Sequence, residues 1–226
     1  KLHLFADGKD SPPRSLPKLL QQIPDADVAT LVGRYYAMDR EENWQLTRRA
    51  YEALVGLSGT VTADMAQSVT AYFAENTNEA FLPPLRRKGG EIQNDEAVIF
   101  FNFREDGMRQ IAEPFATKGF NKFPTKALKN LAVTTMTQYK EEFTANVAFP
   151  PQAIVNPLGK VLASAGKTQL RIAETYKYAH VTYFFNGHHE PPFDNEYRVV
   201  IPSLNLPNIE EHPQMRAALI TDRILE

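Results

Sequence analysis

Residues 97–116 read AVIFFNFREDGMRQIAEPFA and contain the change of pattern that decides the fold. The apolar run Ala97–Phe103 predicts a buried β-strand, and the residues from about Asp106 to Ala116 predict a helix. A strand followed directly by a helix is the repeating unit of α/β proteins. Arg104 lies in the short polar loop between the two elements. The stretch therefore predicts a cationic side chain at the carboxyl end of a buried strand.

The same alternation of short apolar runs and amphipathic stretches continues along the chain. It predicts an α/β fold, a three-layer sandwich with a mainly parallel central sheet flanked by helices. The other predicted strands are Lys1–Ala6, Asp27–Gly33, Leu131–Gln138, Ala145–Phe149, His180–Phe185 and Arg198–Ile201. The other predicted helices are Ser15–Ile23, Glu41–Leu57, Thr62–Glu75 and Ala153–Ala165.

Two local signals refine this prediction. Asp39 fits the N-cap of the helix from Glu41, and Glu42 would complete a capping box. Arg40 would then fall in the first turn of that helix. Pro150-Pro151 interrupts the pattern, which predicts a domain boundary at Phe149–Gln152. Residues 202–213 are rich in Pro and Asn and are predicted to be a loop.

Composition excludes several classes of protein. The 226 residues include no cysteine, which excludes disulfides, thiolate metal sites and a cysteine nucleophile. The formal net charge is −2, so no global field attracts nucleic acid or an anionic membrane. The longest apolar runs are too short to span a bilayer. Because the chain begins with Lys1 rather than Met, we expect further residues upstream.

Three polar loops follow three predicted strands, and their sequences are DGKD (7–10), GRYYAMDR (33–40) and NFRED (102–106). In an open α/β sheet, loops at the carboxyl ends of strands converge on the ligand. Guanidinium groups bind carboxylate or phosphate through two parallel hydrogen bonds. The loops therefore suggest a local site for a small carboxylate or phosphate ester.

Simpler interpretations remain open for each of these residues. A single arginine at a helix start is more often a solvated surface charge. Asp10 precedes Ser-Pro-Pro and fits a turn residue, and Asp39 fits a helix cap. His188-His189 is more often part of a polar loop than a metal site, because no cysteine or acidic spacing completes a ligand set. These residues alone predict a possible anion site without naming a reaction.

The same loops resemble cofactor-independent phosphoglycerate mutase. The resemblance rests on five motifs in order: FADGKDSPP (5–13), GRYYAMDR (33–40), FFNFR (100–104), VAFPP (147–151) and RIAETYKYAHV (171–181). It extends from about residue 1 to residue 203. Residues 1–151 resemble the inserted substrate-binding domain, truncated at its N-terminus. Residues 152–226 resemble the return of the chain into the alkaline-phosphatase-like domain.

The resemblance implies a cytoplasmic, monomeric isomerase of glycolysis and gluconeogenesis. It would interconvert 3-phosphoglycerate and 2-phosphoglycerate through a phosphoserine intermediate, with two divalent ions, manganese or magnesium. The serine and the metal ligands match family segments outside residues 1–226, so this chain alone is expected to hold no metal and to be inactive. An alternative is a stand-alone or degenerate small-anion-binding module without catalysis.

Site residues are carried over by position. The resemblance implies substrate binding by Lys9, Asp10, Arg34, Arg40, Arg104 and Lys177. Asp10 is also the candidate proton carrier. The chain departs from the family at two points, because Lys9 stands where the family has arginine and Gly107 stands where it has a second arginine. Lysine is a point charge rather than a planar fork, and a lost charge-assisted contact costs about 1.5–3 kcal/mol.

Overall fold

The structure, a computed structural model, describes residues 1–23, 28–204 and 211–226. The chain divides into two compact units, Lys1–Pro151 and Gln152–Glu226. The assignment of these units to a substrate-binding domain and a phosphatase-like domain stays a prediction. Asp27, the predicted start of the second strand, and residues 205–210 of the predicted loop lie outside the described residues. In the described part of the chain, every helix is too short or too polar to cross a membrane.

The first unit contains seven strands and five α-helices within its described residues. The strands are β1 (Leu2–Ala6), β2 (Val28–Gly33), β3 (Thr60–Val61), β4 (Leu85–Arg86), β5 (Ala97–Phe100), β6 (Ala132–Thr135) and β7 (Asn146–Val147). The helices are α1 (Leu16–Leu20), α2 (Arg34–Ala37), α3 (Trp44–Leu54), α4 (Met65–Glu75) and α5 (Arg109–Ala116), with a 3₁₀-helix at Glu79–Phe81.

These strands form two sheets, in the orders β1-β2-β4-β3 and β5-β6-β7. Every described pair is parallel except the antiparallel pair of β2 and β4. The predicted α/β class with mainly parallel strands flanked by helices is confirmed. The strands are divided between separate hydrogen-bonded sheets, however, rather than joined in the one central sheet that the sequence predicted.

The strand β2 lies between two hydrophobic cores. All six of its residues are buried, which is typical of a parallel strand covered on both faces. Because successive side chains point to opposite faces, Val32 packs in one core and Leu31 in the other. Helices α3 and α5 contribute to the Val32 core, and α1 and α4 contribute to the Leu31 core. Helix α2 follows β2 directly, so Arg34–Ala37 form a short helix where the sequence predicted a polar loop.

The prediction that Asp39 caps a helix starting at Glu41 is wrong. Helix α3 begins at Trp44, and its N-cap residue is Asn43. Glu42 has a φ of 61°, a left-handed conformation that no helix contains. Asp39 instead accepts the backbone N–H of Asn43 at 2.9 Å. Arg40 consequently lies in the loop before α3, not in the first turn of the helix.

The strand predicted for Ala97–Phe103 is shorter and more exposed than expected. It ends at Phe100, and Ile99 is 64% exposed. Only Phe100 is buried, so β5 is not covered on both faces. A run of apolar residues shows that a segment can be buried, but not which of its side chains find neighbours to cover them.

The second unit has a two-stranded parallel sheet of β8 (Gln169–Glu174) and β9 (Glu196–Ile201). Its helices are α6 (Leu158–Ser164), α7 (Thr175–Ala179) and α8 (Ala217–Leu225). The strand predicted for His180–Phe185 is wrong, because a π-helix covers His180–Phe184 and continues α7. The β-branched and aromatic residues favoured a strand, but strand propensity depends strongly on tertiary surroundings.

Candidate functional site

The pairing of β1 with β2 places Asp7 beside Arg34. The two strands are parallel, and Ala6 is the partner of Gly33 in their register. The next residue of each strand is therefore Asp7 on one side and Arg34 on the other. The NH1 group of Arg34 donates a hydrogen bond to Asp7 Oδ1 and forms an ion pair with it. Asp7 and Arg34 are 27 positions apart in the sequence. They meet because both follow parallel strands that end at the same edge of the sheet.

Asp7 also organises its own loop. Its carboxylate accepts the backbone N–H groups of Lys9, Asp10 and Ser11, the last at 2.6 Å. Burial raises the pKa of the Asp7 carboxyl, but the hydrogen bonds from Arg34, Ser11 and Asp10 outweigh that effect and hold the pKa below its usual value. The carboxylate is therefore charged at neutral pH and keeps the turn closed.

Asp10 is the second carboxylate at Arg34. Its Oδ2 accepts a hydrogen bond from Arg34 NH1 at 3.0 Å, and its side chain is 77% exposed. Burial lowers the pKa of Arg34, while hydrogen bonds to Asp10 and Asp7 raise it, with a net increase. Lys9 is exposed in the same turn. Asp10 thus presents a solvent-accessible oxygen within hydrogen-bonding distance of a fixed guanidinium.

A second group joins Arg40 and Arg104 through Asp106. Arg40 NH1 donates to Asp106 Oδ2 at 2.5 Å. Arg104 donates to the same carboxylate with both Nε (2.8 Å) and NH2 (3.1 Å). Asp106 also accepts the backbone N–H of Gly107 at 2.8 Å. One carboxylate therefore holds together two arginines that lie 64 positions apart in the chain.

The surroundings of Asp106 keep it ionised. Burial raises the pKa of Asp106, but the hydrogen bonds and charges of Arg104 and Arg40 lower it by more. The pKa therefore lies below its usual value. The loop that carries Arg104 is held by Tyr139, whose hydroxyl donates to the carbonyl oxygen of Asn102 at 2.5 Å. Burial raises the pKa of this Tyr139 hydroxyl to about 12. The hydroxyl therefore keeps its proton, and its hydrogen bond, at neutral pH.

The structure brings the predicted residues of the first unit together as two groups. Asp10 and Arg34 share the group centred on Asp7, and Arg40 and Arg104 share the group centred on Asp106. The segment that carries Arg40 packs against the second group, because a Cβ at Gly107 would lie 3.1 Å from Met38 Cε. The two groups are thus linked by residues 34–40.

Two further residues, Lys177 and Arg109, are not members of either group. Lys177 belongs to α7 of the second unit and is exposed. Arg109, two residues after Gly107, donates to the carbonyl oxygen of Tyr139 at 3.0 Å and pairs with Glu105 at 3.5 Å. Its hydrogen bonds hold the start of α5 in place.

The prediction from sequence did not single out Asp7 and Asp106, the two carboxylates on which the arginines are assembled. A signal was present, because each lies in a loop that also contains a predicted site residue. Arginines held at the edge of a sheet need partners that restrict their rotamers. Acidic residues within the same polar loops are the nearest candidates for that role.

Among the described residues, no group of three or more His, Asp or Glu side chains is arranged to hold a metal ion. His188 and His189 stack instead on aromatic rings, on Tyr183 and Phe193 respectively. The described residues of this chain therefore do not fit the two divalent ions that the family resemblance implies.

The fold and these groups define an α/β protein whose arginines are paired with aspartates in the segments that follow its strands. The chain belongs to the family described as BPG-independent PGAM N-terminus, whose family model matches residues 1–141. This confirms the resemblance to cofactor-independent phosphoglycerate mutases that the five motifs indicated.

Individual relatives agree with the family assignment. The chain is 40% identical to the 2,3-bisphosphoglycerate-independent phosphoglycerate mutase of Francisella tularensis subsp. novicida (strain U112), over 99% of this chain and 46% of that protein. It is 40% identical to the enzyme of the same name from Synechococcus sp. (strain JA-3-3Ab), over 100% of this chain and 44% of that protein.

A solved structure of Leishmania mexicana phosphoglycerate mutase at low cobalt concentration shows the same fold. The TM-score is 0.78 at 24% identity, over 98% of this chain and 45% of that chain. The chain thus spans slightly less than half the length of the relatives it matches. It corresponds to part of such a protein.

Proposed function

We propose that this chain is the substrate-binding and reorienting part of a phosphoglycerate mutase that interconverts 3-phosphoglycerate and 2-phosphoglycerate in glycolysis and gluconeogenesis. The observation that carries the proposal is the assembly of Arg34, Arg40 and Arg104 on the carboxylates of Asp7, Asp10 and Asp106, in the segments that follow β1, β2 and β5. Relatives that carry the mutase name over the whole of this chain support it.

The arginines retain donors for a ligand. Within the described hydrogen bonds, Arg34 uses only its NH1 group for Asp7 and Asp10. Arg40 likewise uses only NH1, and its side chain is 44% exposed. A guanidinium has five N–H donors in a fixed plane, so the remaining ones can bind a carboxylate or phosphate group. The pairs with aspartate restrict the side-chain rotamers in advance, which reduces the entropy lost when the ligand binds.

We propose Asp10 as the proton carrier. An anion held by Arg34 would lie beside the exposed carboxylate of Asp10, and a carboxylate can accept a proton from a substrate hydroxyl. We propose Lys9, in the same turn, as a further contact to the phosphoglycerate. We also propose Lys177 as a substrate-binding residue of the second unit. Both assignments rest on the match of position to the family motifs.

Phosphoryl transfer belongs to parts of the mutase that correspond to family segments outside residues 1–226. We propose that a serine nucleophile there forms the phosphoserine intermediate. Two divalent ions, manganese or magnesium, would neutralise charge on the phosphoryl group. We further propose that the whole mutase is a monomer in the cytoplasm. A module that binds small anions without catalysis is not favoured, because the relatives are named as mutases.

Calorimetric titration of the chain with 3-phosphoglycerate tests the proposal. We expect saturable binding that Arg34→Ala weakens by roughly 10- to 150-fold, equivalent to about 1.5–3 kcal/mol for a lost charge-assisted contact. The matched control is Arg48→Ala, because Arg48 lies on α3 and pairs with Glu52 away from these loops. No binding by the unaltered chain, or equal losses in both variants, would contradict the proposed site.

The reaction itself is tested with a protein that joins this chain to the remaining segments of a relative. We expect conversion of 3-phosphoglycerate to 2-phosphoglycerate in the presence of manganese and none after chelation of the metal. A folded protein that binds the ligand but shows no turnover would refute the mutase activity and leave only the binding function.

A further inference from the structure

The loop between β1 and α1 carries Asp7 and Asp10, and it contacts a segment far along the chain. We define residues 78–82 as the backing segment. Asn78 Nδ2 donates to the carbonyl oxygen of Gly8 at 2.9 Å, while its Oδ1 accepts the backbone N–H of Ala80 at 2.8 Å. The side chain of Asn78 therefore bonds the first turn of the loop and the start of the 3₁₀-helix at the same time.

Glu79 holds the other end of the same loop. Its Oε2 accepts the backbone N–H of Arg14 at 2.6 Å, and its Oε1 accepts those of Ser15 at 3.0 Å and Leu16 at 3.1 Å. The Ser15 hydroxyl donates to Oε1 at 3.2 Å. Glu79 is only 1% exposed. A buried carboxylate that accepts four hydrogen bonds strongly restrains the groups that donate them.

The backing segment also lies against the strand end that carries Arg34. Gly33 donates its backbone N–H to the carbonyl oxygen of Leu82 at 2.8 Å. A Cβ at Gly33 would lie 2.2 Å from the carbonyl oxygen of Ala80, so the two backbones are in direct contact. The backing segment thus contacts the loop that carries Asp10, at Gly8, and the strand end that directly precedes Arg34, at Gly33.

We infer that Asn78 and Glu79 are positioning residues that hold the loop of Asp10 against Arg34 and thereby set the affinity of this pair for the phosphoglycerate. Neither side chain needs to touch the ligand. This inference rests on the proposed function, because it concerns the same site. It follows from hydrogen bonds that join residues about 65 to 70 positions apart and that end on the loop itself.

Two variants test separately the hydrogen bonds of Asn78 and those of Glu79 to the loop. Asn78→Asp keeps an oxygen acceptor for Ala80 but places a second oxygen, in place of the donor, against the carbonyl of Gly8. Glu79→Gln replaces one acceptor oxygen by an amide nitrogen that cannot accept an N–H. The matched controls are Asn76→Asp and Glu75→Gln. Asn76 donates to the Tyr72 carbonyl of α4, and Glu75 is exposed.

Affinity and amide exchange are measured on the folded chain. We expect 3-phosphoglycerate to bind roughly tenfold more weakly to Asn78→Asp and Glu79→Gln, and within twofold of the unaltered chain for both controls. Hydrogen exchange at the amides of Arg14, Ser15 and Leu16 should accelerate in Glu79→Gln, and at Lys9 and Asp10 in Asn78→Asp. If Glu79→Gln does not fold, Asn78→Asp still decides the matter.

A double-mutant cycle distinguishes positioning from a general loss of stability. Because Asn78 is inferred to act through the Asp10–Arg34 pair, we expect Asn78→Asp to change affinity less than twofold when Arg34→Ala is already present. Full additivity, or faster exchange with unchanged affinity, would overturn the inference.

If the unaltered chain binds no phosphoglycerate at all, that result contradicts the proposed function and not the restraint of the loop. The restraint of the loop by Asn78 and Glu79 is then supported by faster exchange in both variants. Unchanged exchange in both would overturn it. The two failures are therefore distinguishable.

Discussion

Asp106 is the residue whose replacement most directly tests the second arginine group. Asp106→Asn removes the charge that Arg40 and Arg104 share and leaves one oxygen acceptor. The two arginine side chains are 44% and 59% exposed, so water screens the pairs. Exposed ion pairs contribute about 0.5 kcal/mol each, which predicts a loss of about 1 kcal/mol in the free energy of unfolding at pH 7.

The contribution of Asp106 to the free energy of unfolding depends on pH. The pKa of Asp106 is lower in the folded chain than its usual 3.8, so an unfolded chain takes up the proton first as the pH falls. The stabilisation by Asp106 is therefore fully present above about pH 4 to 5 and is lost at lower pH, as the pH approaches the folded pKa. Asparagine does not titrate, so the difference between the two proteins should shrink in that range.

Urea denaturation of both proteins at a series of pH values, down to the lowest at which each is folded, measures the difference. The control is Asp222→Asn, because Asp222 is an exposed residue of α8. A difference of about 1 kcal/mol that stays constant from pH 7 to below pH 4 would refute the electrostatic explanation. No difference at pH 7 would show that the pairs do not stabilise the fold.

Further predictions concern the backbone and the tyrosine that hold the loops. Gly33→Ala should destabilise the chain by about 3 kcal/mol, because its Cβ would lie 2.2 Å from the carbonyl oxygen of Ala80. Gly166→Ala, with a φ of +64° and no atom within 4 Å of its Cβ, should cost only about 1 kcal/mol in the same urea experiment. Equal losses would contradict the backbone contact. Tyr139→Phe should cost about 1 kcal/mol by removing the hydrogen bond to Asn102. Since the pKa of Tyr139 is raised to about 12, the unaltered chain should also lose stability above about pH 10, more than Tyr139→Phe does. Parallel stability–pH curves for the two proteins would refute this assignment.

The neighbourhood of Arg34 could be predicted from sequence, because Asp7 and Arg34 follow strands directly. The ends of β1 and β2 were predicted at the observed residues, Ala6 and Gly33. Apolar runs followed by Gly or Asp-Gly mark such ends clearly. Parallel pairing then requires that the residues after both strands meet. The contact of Asp7 with Arg34 follows from that rule once the register of β1 and β2 is known.

The position of Arg40 could not be predicted in the same way. Asp39 and Glu42 have the spacing of a capping box, but Gln110 reaches from α5 and donates to Asp39 Oδ1 at 2.8 Å. Its Oε1 accepts the N–H of Glu42 at 3.0 Å. This contact between residues 68 positions apart thus outweighs the local capping interaction, and the helix begins only at Trp44.

The amino-acid sequence by itself determined the α/β class, the ends of the first two strands and, through its motifs, the family. These properties depend on periodicity and on residues close together in the chain. Only the tertiary structure decided that Asp106 joins Arg40 to Arg104 and that Asn78 and Glu79 hold the loop of Asp10. Such contacts form between distant segments, because a folded core brings together groups whose pairing no local pattern encodes.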